Sequence, residues 1–283
     1  MDYTEINLDD YTLSGEGGNS LVYSHKDGHS VAKLFTNKVD AEGAAEEFNT
    51  SLLVYEMGIP TPRPIRLVSH NGQLGQEFER IENKRSYARI FSQEPQMIEP
   101  LSQRMAQMTR QIHATPADTS KMISMKERVY SALKFGEPSE LKERMARFTD
   151  NVPDKPICLH GDINIGNIIT DGKRTMWIDV GDFSYGVPEW DLGWAAFFIK
   201  MMPENICLDL FHVGKDVLRQ HWSVFINTYT EGMTDKERAD FEESLTPYMA
   251  VRSYTFFIKN FQKDVMPHPM NEIIEEIMAN TKV

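Results

Sequence analysis

The feature that most constrains the fold is a change of pattern near residue 82. Before it, short apolar runs are broken by glycines and by the turn pairs Asp27-Gly28 and Asn71-Gly72, which is typical of β-strands. After it, long segments carry apolar residues at helical spacing. This order predicts an α+β, bilobal chain, with a small β-rich lobe over residues 1–82 and a larger, mostly helical lobe over residues 83–283.

One helix interrupts the strand-rich region. Four apolar side chains between residues 39 and 57 share a helical stripe: Ala45, Phe48, Leu52 and Tyr55. The pattern ends at Gly58, just before the segment PTPRP, which cannot continue a helix. We therefore predict one main helix in the first lobe, with this stripe facing the core.

Composition excludes several classes of protein. The chain has 283 residues, 41% of them apolar, so it can bury a sizeable core. It contains no run of about 20 apolar residues, and its acidic N-terminus does not resemble a secretion signal, so we expect a soluble, cytoplasmic protein without a membrane partner. Two cysteines at unrelated positions favour neither a disulfide scaffold nor a zinc site. A net charge of -12 argues against nucleic acid and favours a neutral or cationic partner.

The segment SGEGGNSLVY, residues 14–23, contains a candidate phosphate-binding loop. Gly15, Gly17, Ser20 and Val22 have the spacing G-x-G-x-x-G-x-V, with serine at the third glycine position and Gly18 between them. Glycines allow backbone amides to approach phosphate oxygens closely. A plain glycine-rich hairpin turn is the alternative interpretation.

Eleven residues after Val22, Lys33 lies inside the apolar run SVAKLF. A buried ammonium group needs a phosphate or carboxylate partner, whereas a solvated strand face would need none. The predicted helix that follows offers three candidate partners, and its periodicity does not choose among them: Glu42, Glu46 and Glu47.

The stretch LHGDINIGNIITDGKRTMWIDVGD, residues 159–182, carries the strongest chemical signal. If a hairpin turns through residues 172–174, Asn167 and Asp179 lie directly opposite each other, with Cβ atoms about 5 Å apart; a four-residue loop shifts them by one position. Two such oxygen donors suit Mg²⁺, which takes one or two protein ligands together with phosphate and water. Asp162 is then placed to accept a proton from an attacking hydroxyl group, or to orient it.

Asp and Asn also hydrogen-bond backbone groups in turns, and this explains one or two of these residues. It does not explain Asp162, Asn167 and Asp179 together with the glycine loop and Lys33 in this order.

These residues resemble the aminoglycoside phosphotransferase and choline kinase-like family, small-molecule kinases with a protein-kinase-like fold. LHGDINIGN resembles the family's catalytic loop, with His-Gly-Asp where protein kinases have His-Arg-Asp. WIDVGDFSYGVPEWDLGW resembles its metal-binding segment, EMGIPTPRPI the turn after the first helix, FERIEN the connection between lobes, and QIHATP a helix end. The resemblance spans roughly residues 11 to 195.

The resemblance implies an ATP- and Mg²⁺-dependent kinase. It implies Asp162 as catalytic base, Asn167 and Asp179 as metal ligands, and Lys33 on the α- and β-phosphates. Glu47 would pair with Lys33, with Glu46 as the alternative, and Asp182 could rival or join Asp179 at the metal. The nucleotide would be bound by the glycine loop, by Lys33 and by the connection: Gly15, Gly17, Gly18, Ser20, Glu79 and Ile81. Asp191 and His160 would brace the catalytic loop.

The acceptor is less constrained. Six acidic residues follow the resembling region and favour a cationic acceptor, although an exposed helix face also explains them: Glu231, Asp235, Glu237, Asp240, Glu242 and Glu243. Four aromatic residues could surround an ammonium group, although core packing explains most of them: Trp190, Trp194, Trp222 and Tyr229.

We therefore expect a phosphotransferase acting on the hydroxyl group of an aminoglycoside-, choline- or sugar-like molecule. The alternative is a nucleotide-binding or scaffold protein that uses the same fold without turnover. Protein kinase activity is a third hypothesis.

Overall fold

The computed structural model describes residues 2–16, 20–36, 39–261 and 269–282. The chain forms two compact units. The first unit consists of residues 1–85 and 167–182, and the second of residues 86–166 and 183–283. The predicted lobes assign residues 167–182 differently, because this later segment makes its contacts with the N-terminal part of the chain.

A six-stranded sheet forms most of the first unit. Its strands, in chain order, are β1 (Thr4–Glu5), β2 (Tyr11–Glu16), β3 (Ser20–His25), β4 (Ser30–Phe35), β5 (Pro64–His70) and β6 (Gln73–Glu79). Their spatial order is β1-β5-β6-β4-β3-β2, and β1 is the one parallel neighbour among antiparallel pairs. Asn71 and Gly72 both adopt positive φ, at 50° and 82°, which is the backbone geometry of a two-residue hairpin between β5 and β6.

The sheet buries alternate residues on its two faces. An apolar cluster on one face consists of Ile6, Tyr11, Ala32, Leu34 and Val68. Because successive side chains of a strand point to opposite faces, the burial of Ala32 and Leu34 directs Lys33 to the other face of β4. The fold of the strand itself therefore orients this lysine.

Helix α1 (Ala41–Glu56) begins at Asp40, whose side chain accepts a hydrogen bond from the Gly43 N–H at 2.8 Å. Its buried residues are Ala44, Ala45, Ser51 and Val54. The predicted stripe is wrong in part, because Tyr55 is exposed and Phe48 and Leu52 are only partly buried. The face that packs inward also carries Glu47 and Ser51, so apolar periodicity alone misjudged the rotation of the helix.

The rest of the first unit is a second hairpin, β9 (Ile168–Thr170) and β10 (Thr175–Trp177), followed by a 3-10 turn over Val180–Asp182. The N–H of Trp177 donates to the Pro60 carbonyl at 2.8 Å, which ties the hairpin to the segment after α1. A two-residue strand, β7 (Arg85–Ser86), lies where the chain leaves the first unit.

The second unit is mostly helical. Its helices are α2 (Tyr87–Gln93), α3 (Ile98–His113), α4 (Met125–Leu133), α5 (Glu140–Asn151), α6 (Glu189–Lys200), α7 (Glu204–Phe211), α8 (Lys215–Tyr229), α9 (Asp235–Ser244), α10 (Thr246–Phe261) and α11 (Met270–Asn280). Two short strands, β8 (Cys158–Leu159) and β11 (Ser184–Tyr185), pair antiparallel within it. A sheet with one main helix, followed by a helical unit, confirms the predicted α+β class.

Helix α6 forms the centre of the second unit and packs on α10. Nine of its twelve residues are buried. A Cβ at Gly193 would lie 2.7 Å from Tyr248 Cβ and 2.8 Å from the Met249 nitrogen, so a glycine is needed for this close approach. Within the described ranges, no helix combines the length and the apolar character needed to cross a bilayer.

Candidate active site

Lys33 is the centre of an ion-pair network in the first unit. Its Nζ lies 3.1 Å from Glu47 Oε1 on α1 and 2.6 Å from Asp179 Oδ1, which follows β10. Of the three candidate glutamates on α1, Glu47 is the one that makes this pair. The Lys33 side chain is 20% exposed, so the two carboxylates supply the partners that a mostly buried ammonium requires.

The same network keeps Lys33 charged. Burial disfavours the ammonium form, but the nearby charges of Asp179 and Glu47, and their hydrogen bonds, outweigh it and raise the pKa of Lys33 above its ordinary value. Lys33 therefore carries a positive charge at neutral pH.

The hairpin that carries Asn167 and Asp179 differs from the predicted register by one residue. Its loop has four residues, 171–174, so Thr170 pairs with Thr175 and Ile168 with Trp177. The Ile178 N–H donates to the Asn167 carbonyl at 2.9 Å, which places Asn167 opposite Ile178 rather than Asp179. The directly opposed arrangement is therefore wrong, and the four-residue alternative is correct.

Asp171 explains the longer loop. Its Oδ1 accepts the N–H groups of Arg174, at 2.7 Å, and Lys173, at 2.8 Å. These two hydrogen bonds lower the pKa of Asp171 to about 2. An aspartate that accepts the backbone N–H groups two and three residues later stabilises the turn that it begins. Asp171 is therefore the sequence feature that indicates a four-residue loop and the observed register.

Asp179 leaves the strand because its backbone is left-handed, with φ of 58°. Asp tolerates this region better than most residues. The 3-10 turn that follows packs on α1, and a Cβ at Gly181 would lie only 2.6 Å from Glu47 Cγ. Gly181 therefore makes room for the glutamate that pairs with Lys33, a role that the sequence analysis missed although the glycine stands two residues after Asp179.

Gly75 has a similar role on the other side of Lys33. Gly75 lies on β6, opposite Leu34, and a Cβ there would meet the Lys33 carbonyl oxygen at 2.3 Å. The strand that carries Lys33 can approach β6 this closely only because position 75 has no side chain. This glycine was also missed, since nothing around it in sequence marks it.

The donor set of the hairpin suits a hard divalent cation. Asn167 and Asp179 offer amide and carboxylate oxygens, and the Asp179 side chain is 50% exposed. Among the residues that the structure describes, no group of three or more His, Cys, Asp or Glu is arranged to hold a metal ion. Metal binding by Asn167 and Asp179 stays a prediction.

The glycine-rich segment is described in part. Gly15 lies opposite Val22 at a register shift between β2 and β3, and Ser20 is buried opposite Phe35. Gly17 and Gly18 lie outside the described residues. Gly15 and Ser20 thus lie on the paired strands β2 and β3, and the nucleotide contacts of the motif stay a prediction.

Glu79 is the last residue of β6 and Ile81 follows two positions later; both were expected to bind the nucleotide. The Glu79 N–H donates to the Arg63 carbonyl at 2.9 Å. The Ile81 side chain is buried against Ile169 and Met176 of the hairpin, with Ile178 packed beside them. Any hydrogen bond from residue 81 to a base would therefore come from its backbone.

In the second unit, Asp191 organises the loop that contains His160 and Asp162. Fully buried, Asp191 accepts the N–H groups of His160 and Gly161, each at 2.8 Å, and His113 Nε2 lies 3.0 Å from its Oδ2. Burial opposes its ionisation, but the hydrogen bonds and the neighbouring imidazoles of His113 and His160 lower the pKa of Asp191. The bracing expected of Asp191 is confirmed, and His160 Nδ1 accepts the Asp162 N–H at 3.2 Å.

Two donors meet at one oxygen of Asp162. Trp194 Nε1 donates to Asp162 Oδ1 at 2.6 Å, and Asn164 Nδ2 donates to the same atom at 3.0 Å. Sequence reasoning missed both roles. Trp194 lies one helical turn after Asp191 on α6, and this spacing could have indicated that both side chains face the loop.

A cavity of about 20 Å³ lies beside the same loop, enough for roughly one water molecule. Its lining is mostly apolar and aromatic and includes Ile163, Asn164 and Ile165 of the loop, with His221 and Phe225 from α8.

The structure thus brings Lys33, Glu47 and Asp179 together in the first unit, on whose hairpin Asn167 also lies. Asp162 belongs to the second unit, five residues before Asn167 in sequence.

The acidic run is largely used within the second unit. Glu237 caps α9 in a capping box with Thr234, Asp235 pairs with Arg238 at 3.0 Å, and Glu242 accepts from Trp222 Nε1 at 2.9 Å. Glu231 lies 3.3 Å from Arg110. These contacts favour the interpretation as an ordinary charged helix face.

Three of the four aromatic residues, Trp190, Trp194 and Trp222, are buried in the core, and Tyr229 is partly buried. Trp190 is fully buried and meets Phe148 and Tyr248 edge to face. Trp222 stacks on Phe225, and Tyr229 meets the His113 ring.

A family model described as "Phosphotransferase enzyme family" matches residues 12–209. No curated protein matches the chain by sequence.

Solved structures share the fold. A crystal structure of a choline/ethanolamine kinase family protein from Mesorhizobium loti aligns with a TM-score of 0.57 at 12% identity, covering 95% of this chain and 85% of that chain. The amicoumacin kinase hAmiN, in complex with AMP-PNP, Ca²⁺ and Ami, aligns with a TM-score of 0.60 at 13% identity, covering 99% and 91%. A thermostable mutant of aminoglycoside phosphotransferase APH(4)-Ia, with AMP-PNP and hygromycin B, aligns with a TM-score of 0.65 at 13% identity, covering 95% and 93%. This likeness confirms the predicted protein-kinase-like fold.

Proposed function

Because the chain belongs to the phosphotransferase enzyme family, we propose that it transfers the γ-phosphoryl group of ATP to a hydroxyl group of a small molecule. The observation that carries this proposal is the ion-pair network of Lys33 with Glu47 and Asp179. A lysine on a strand, held by a helix glutamate and next to a candidate metal-ligand aspartate, is the arrangement that phosphoryl transfer from a nucleotide requires.

Each residue has a chemical role in this proposal. The acceptor oxygen attacks the γ-phosphorus and forms a new P–O bond, while the bond from the γ-phosphorus to the β,γ-bridging oxygen breaks and ADP leaves. Asp162 accepts the hydroxyl proton, or orients the hydroxyl group so that the proton leaves as the bond forms. Lys33 holds the α- and β-phosphates, and Glu47 fixes the position of its ammonium group.

Asn167 and Asp179 would hold Mg²⁺, which neutralises charge on the phosphate oxygens when bound. Asp182, in the turn after Asp179, is a further candidate ligand. The glycine loop from Gly15 to Ser20 would cover the phosphates, and the backbone around Glu79 and Ile81 would meet the base.

The acceptor is proposed as a class. The names of the compared proteins mention choline or ethanolamine, amicoumacin and aminoglycosides. Because the acidic residues near α9 are largely used in caps and pairs, the charge of this helix does not by itself favour a polycation.

The test is a screen for nucleotide consumption with Mg²⁺ against panels of aminoglycosides, choline-like amines, sugars and amino-acid alcohols. We expect ATP consumption above the acceptor-free rate with at least one panel, and a phosphorylated product of the corresponding mass. A protein that binds ATP but consumes none with any panel would instead be a nucleotide-binding or scaffold protein, and the proposal would be wrong.

A further inference from the structure

We infer that Trp194 and Arg252 act as a pair of positioning residues that hold the Asp162 carboxylate in its reactive orientation. This inference rests on the proposed function, in which Asp162 is the base. Arg252 lies on α10, beyond residues 12–209 that the family model matches.

A hydrogen bond from the Trp194 indole binds one oxygen of the Asp162 carboxylate. An aspartate carboxylate rotates easily about its last bond, so a base that must face an incoming hydroxyl group needs a fixed donor. Trp194 Nε1 supplies one at 2.6 Å, a short bond to a charged acceptor. Asn164 supplies a second donor to the same oxygen at 3.0 Å.

The Trp194 indole is held in place by aromatic packing. Trp194 is 2% exposed, stacks on Phe197 at 5.3 Å between ring centroids, and meets Phe198 edge to face at 5.0 Å. Its ring has little freedom to tilt in this packing. The direction of its N–H is therefore set by the core of the second unit rather than by Asp162.

Arg252 makes two contacts, one with the Trp194 ring on α6 and one with the loop that contains Asp162. Its guanidinium lies 5.5 Å from the centroid of the Trp194 ring, a cation–π contact that draws electron density from the indole and makes its N–H a better donor. Its Nη2 also donates to the Gly161 carbonyl, one residue before Asp162.

Gly161 is held from both ends by these contacts. Its N–H donates to Asp191 at 2.8 Å, and its φ is 83°, a conformation that glycine adopts easily. With the carbonyl bound to Arg252, the peptide that leads into Asp162 is fixed. Arg252 thus acts on Asp162 through the backbone and through the indole.

The first experiment observes the hydrogen bond without turnover. The chain has four tryptophans, so ¹⁵N-labelled protein gives four indole N–H resonances. Trp194→Phe removes one and assigns it. We expect Asp162→Asn to shift that resonance and leave the other three in place, and Arg252→Met to shift it as well. An unmoved Trp194 resonance in Asp162→Asn would overturn the inference.

The second experiment measures turnover of ATP with the best acceptor, or with water. We expect Trp194→Phe and Arg252→Met to lower kcat by about 10- to 100-fold with nucleotide affinity unchanged, as small misplacements of a reacting group do. Arg252→Lys, which keeps the charge, should recover part of the loss. Combined with Asp162→Asn, Trp194→Phe should lower kcat no further, because both act through one carboxylate.

Trp222→Phe is the matched control. Trp222, on α8, donates its indole N–H to the Glu242 carboxylate on α9 at 2.9 Å, and the change to Phe removes this donor. It should leave kcat within about twofold, because the carboxylate that the Trp222 N–H binds, Glu242 on α9, has no part in the proposed reaction. Additive losses in Trp194→Phe and Asp162→Asn would overturn the inference. If Asp162→Asn alone keeps full turnover, the proposed base is wrong, and the indole resonance still decides whether the pair holds the carboxylate.

Discussion

At the scale of single residues, Lys33 depends on a partner that lies on a different element. Glu47 is the glutamate on α1 that reaches its ammonium, while Glu46 is exposed. Apolar periodicity alone does not choose between Glu46 and Glu47. Adjacent residues point about 100° apart around a helix, and the predicted stripe gave the wrong rotation for the buried face of α1. The resemblance favoured Glu47 over Glu46, and the contact that the structure shows is the one between Lys33 Nζ and Glu47 Oε1, at 3.1 Å.

Glu47→Gln is expected to lower ATP turnover by about 10-fold or more, because the ammonium of Lys33 loses one of the two charges that position it. The measurement is kcat with the best acceptor, alongside nucleotide affinity. Glu46→Gln is the control and should behave like the wild type. Equal losses in the two variants would mean that helix charge, rather than the pair with Lys33, matters.

His221 makes stability depend on pH. It is buried on α8, with Nδ1 2.8 Å from Ser102 Oγ and between the rings of Phe91 and Phe225. Burial lowers its pKa from 6.5 to about 3. Between these values the unfolded chain binds a proton that the folded protein excludes, so stability is full above pH 6.5 and falls as the pH decreases toward 3.

The free energy of unfolding should therefore decrease by up to about 1.4 kcal/mol per pH unit from this group below pH 6.5. His221→Gln removes the titration while keeping a polar partner for Ser102, so its urea midpoint should fall less between pH 7.5 and 5 than that of the wild type. His212→Asn, at an exposed left-handed position that Asn tolerates, is the control and should follow the wild type. Parallel curves for His221→Gln and the wild type would contradict this account.

At the scale of elements, the hairpin β9–β10 shows why pairing is predictable to within one residue. Its two apolar runs and its turn were evident from the sequence, and the register depended on whether the loop has three or four residues. Asp171 decides this through its two backbone hydrogen bonds, which stabilise the longer loop. Turn chemistry at one residue thus moved Asn167 from opposite Asp179 to opposite Ile178.

The 3-10 turn after this hairpin gives an element-scale prediction. Gly181→Ala adds a Cβ that would lie 2.6 Å from Glu47 Cγ, and the glutamate is the group that can move. We expect a loss of turnover similar to that of Glu47→Gln, with the urea midpoint close to that of the wild type. In the Glu47→Gln background, Gly181→Ala should cost little further turnover, since the pair is already broken. Wild-type turnover in Gly181→Ala would show that the turn does not position Glu47.

At the scale of the whole molecule, the order of elements along the chain predicted the fold well. A strand-rich region with one helix followed by a helical region is visible in the periodicity, and the six-stranded sheet and the helices follow it. The order of elements did not predict that residues 167–182 belong to the first unit, because the chain before and after them belongs to the second. The position of this segment in the first unit depends on buried contacts of Ile169, Met176 and Trp177, and no local sequence pattern predicts these contacts.

The candidate site residues were predicted because they lie in sequence motifs. Other residues that position them were not predicted, because these motifs do not mark them. Lys33 and Asp162 stand in recognisable segments. Gly75 and Arg252 act through contacts between positions far apart in sequence, so no local pattern marks them. The spacing of Trp194 from Asp191 on α6 is a signal that the prediction from sequence did not use.

The most direct test of the proposed reaction compares phosphoryl transfer with nucleotide binding in Asp162→Asn, using Asp118→Asn as a matched change in an exposed loop of the same unit. The proposed function requires Asp162→Asn to lose transfer by about 100-fold or more, as loss of a general base does, while binding ATP as tightly as the wild type. Asp118→Asn should keep both properties. Transfer by Asp162→Asn at the wild-type rate would contradict the account.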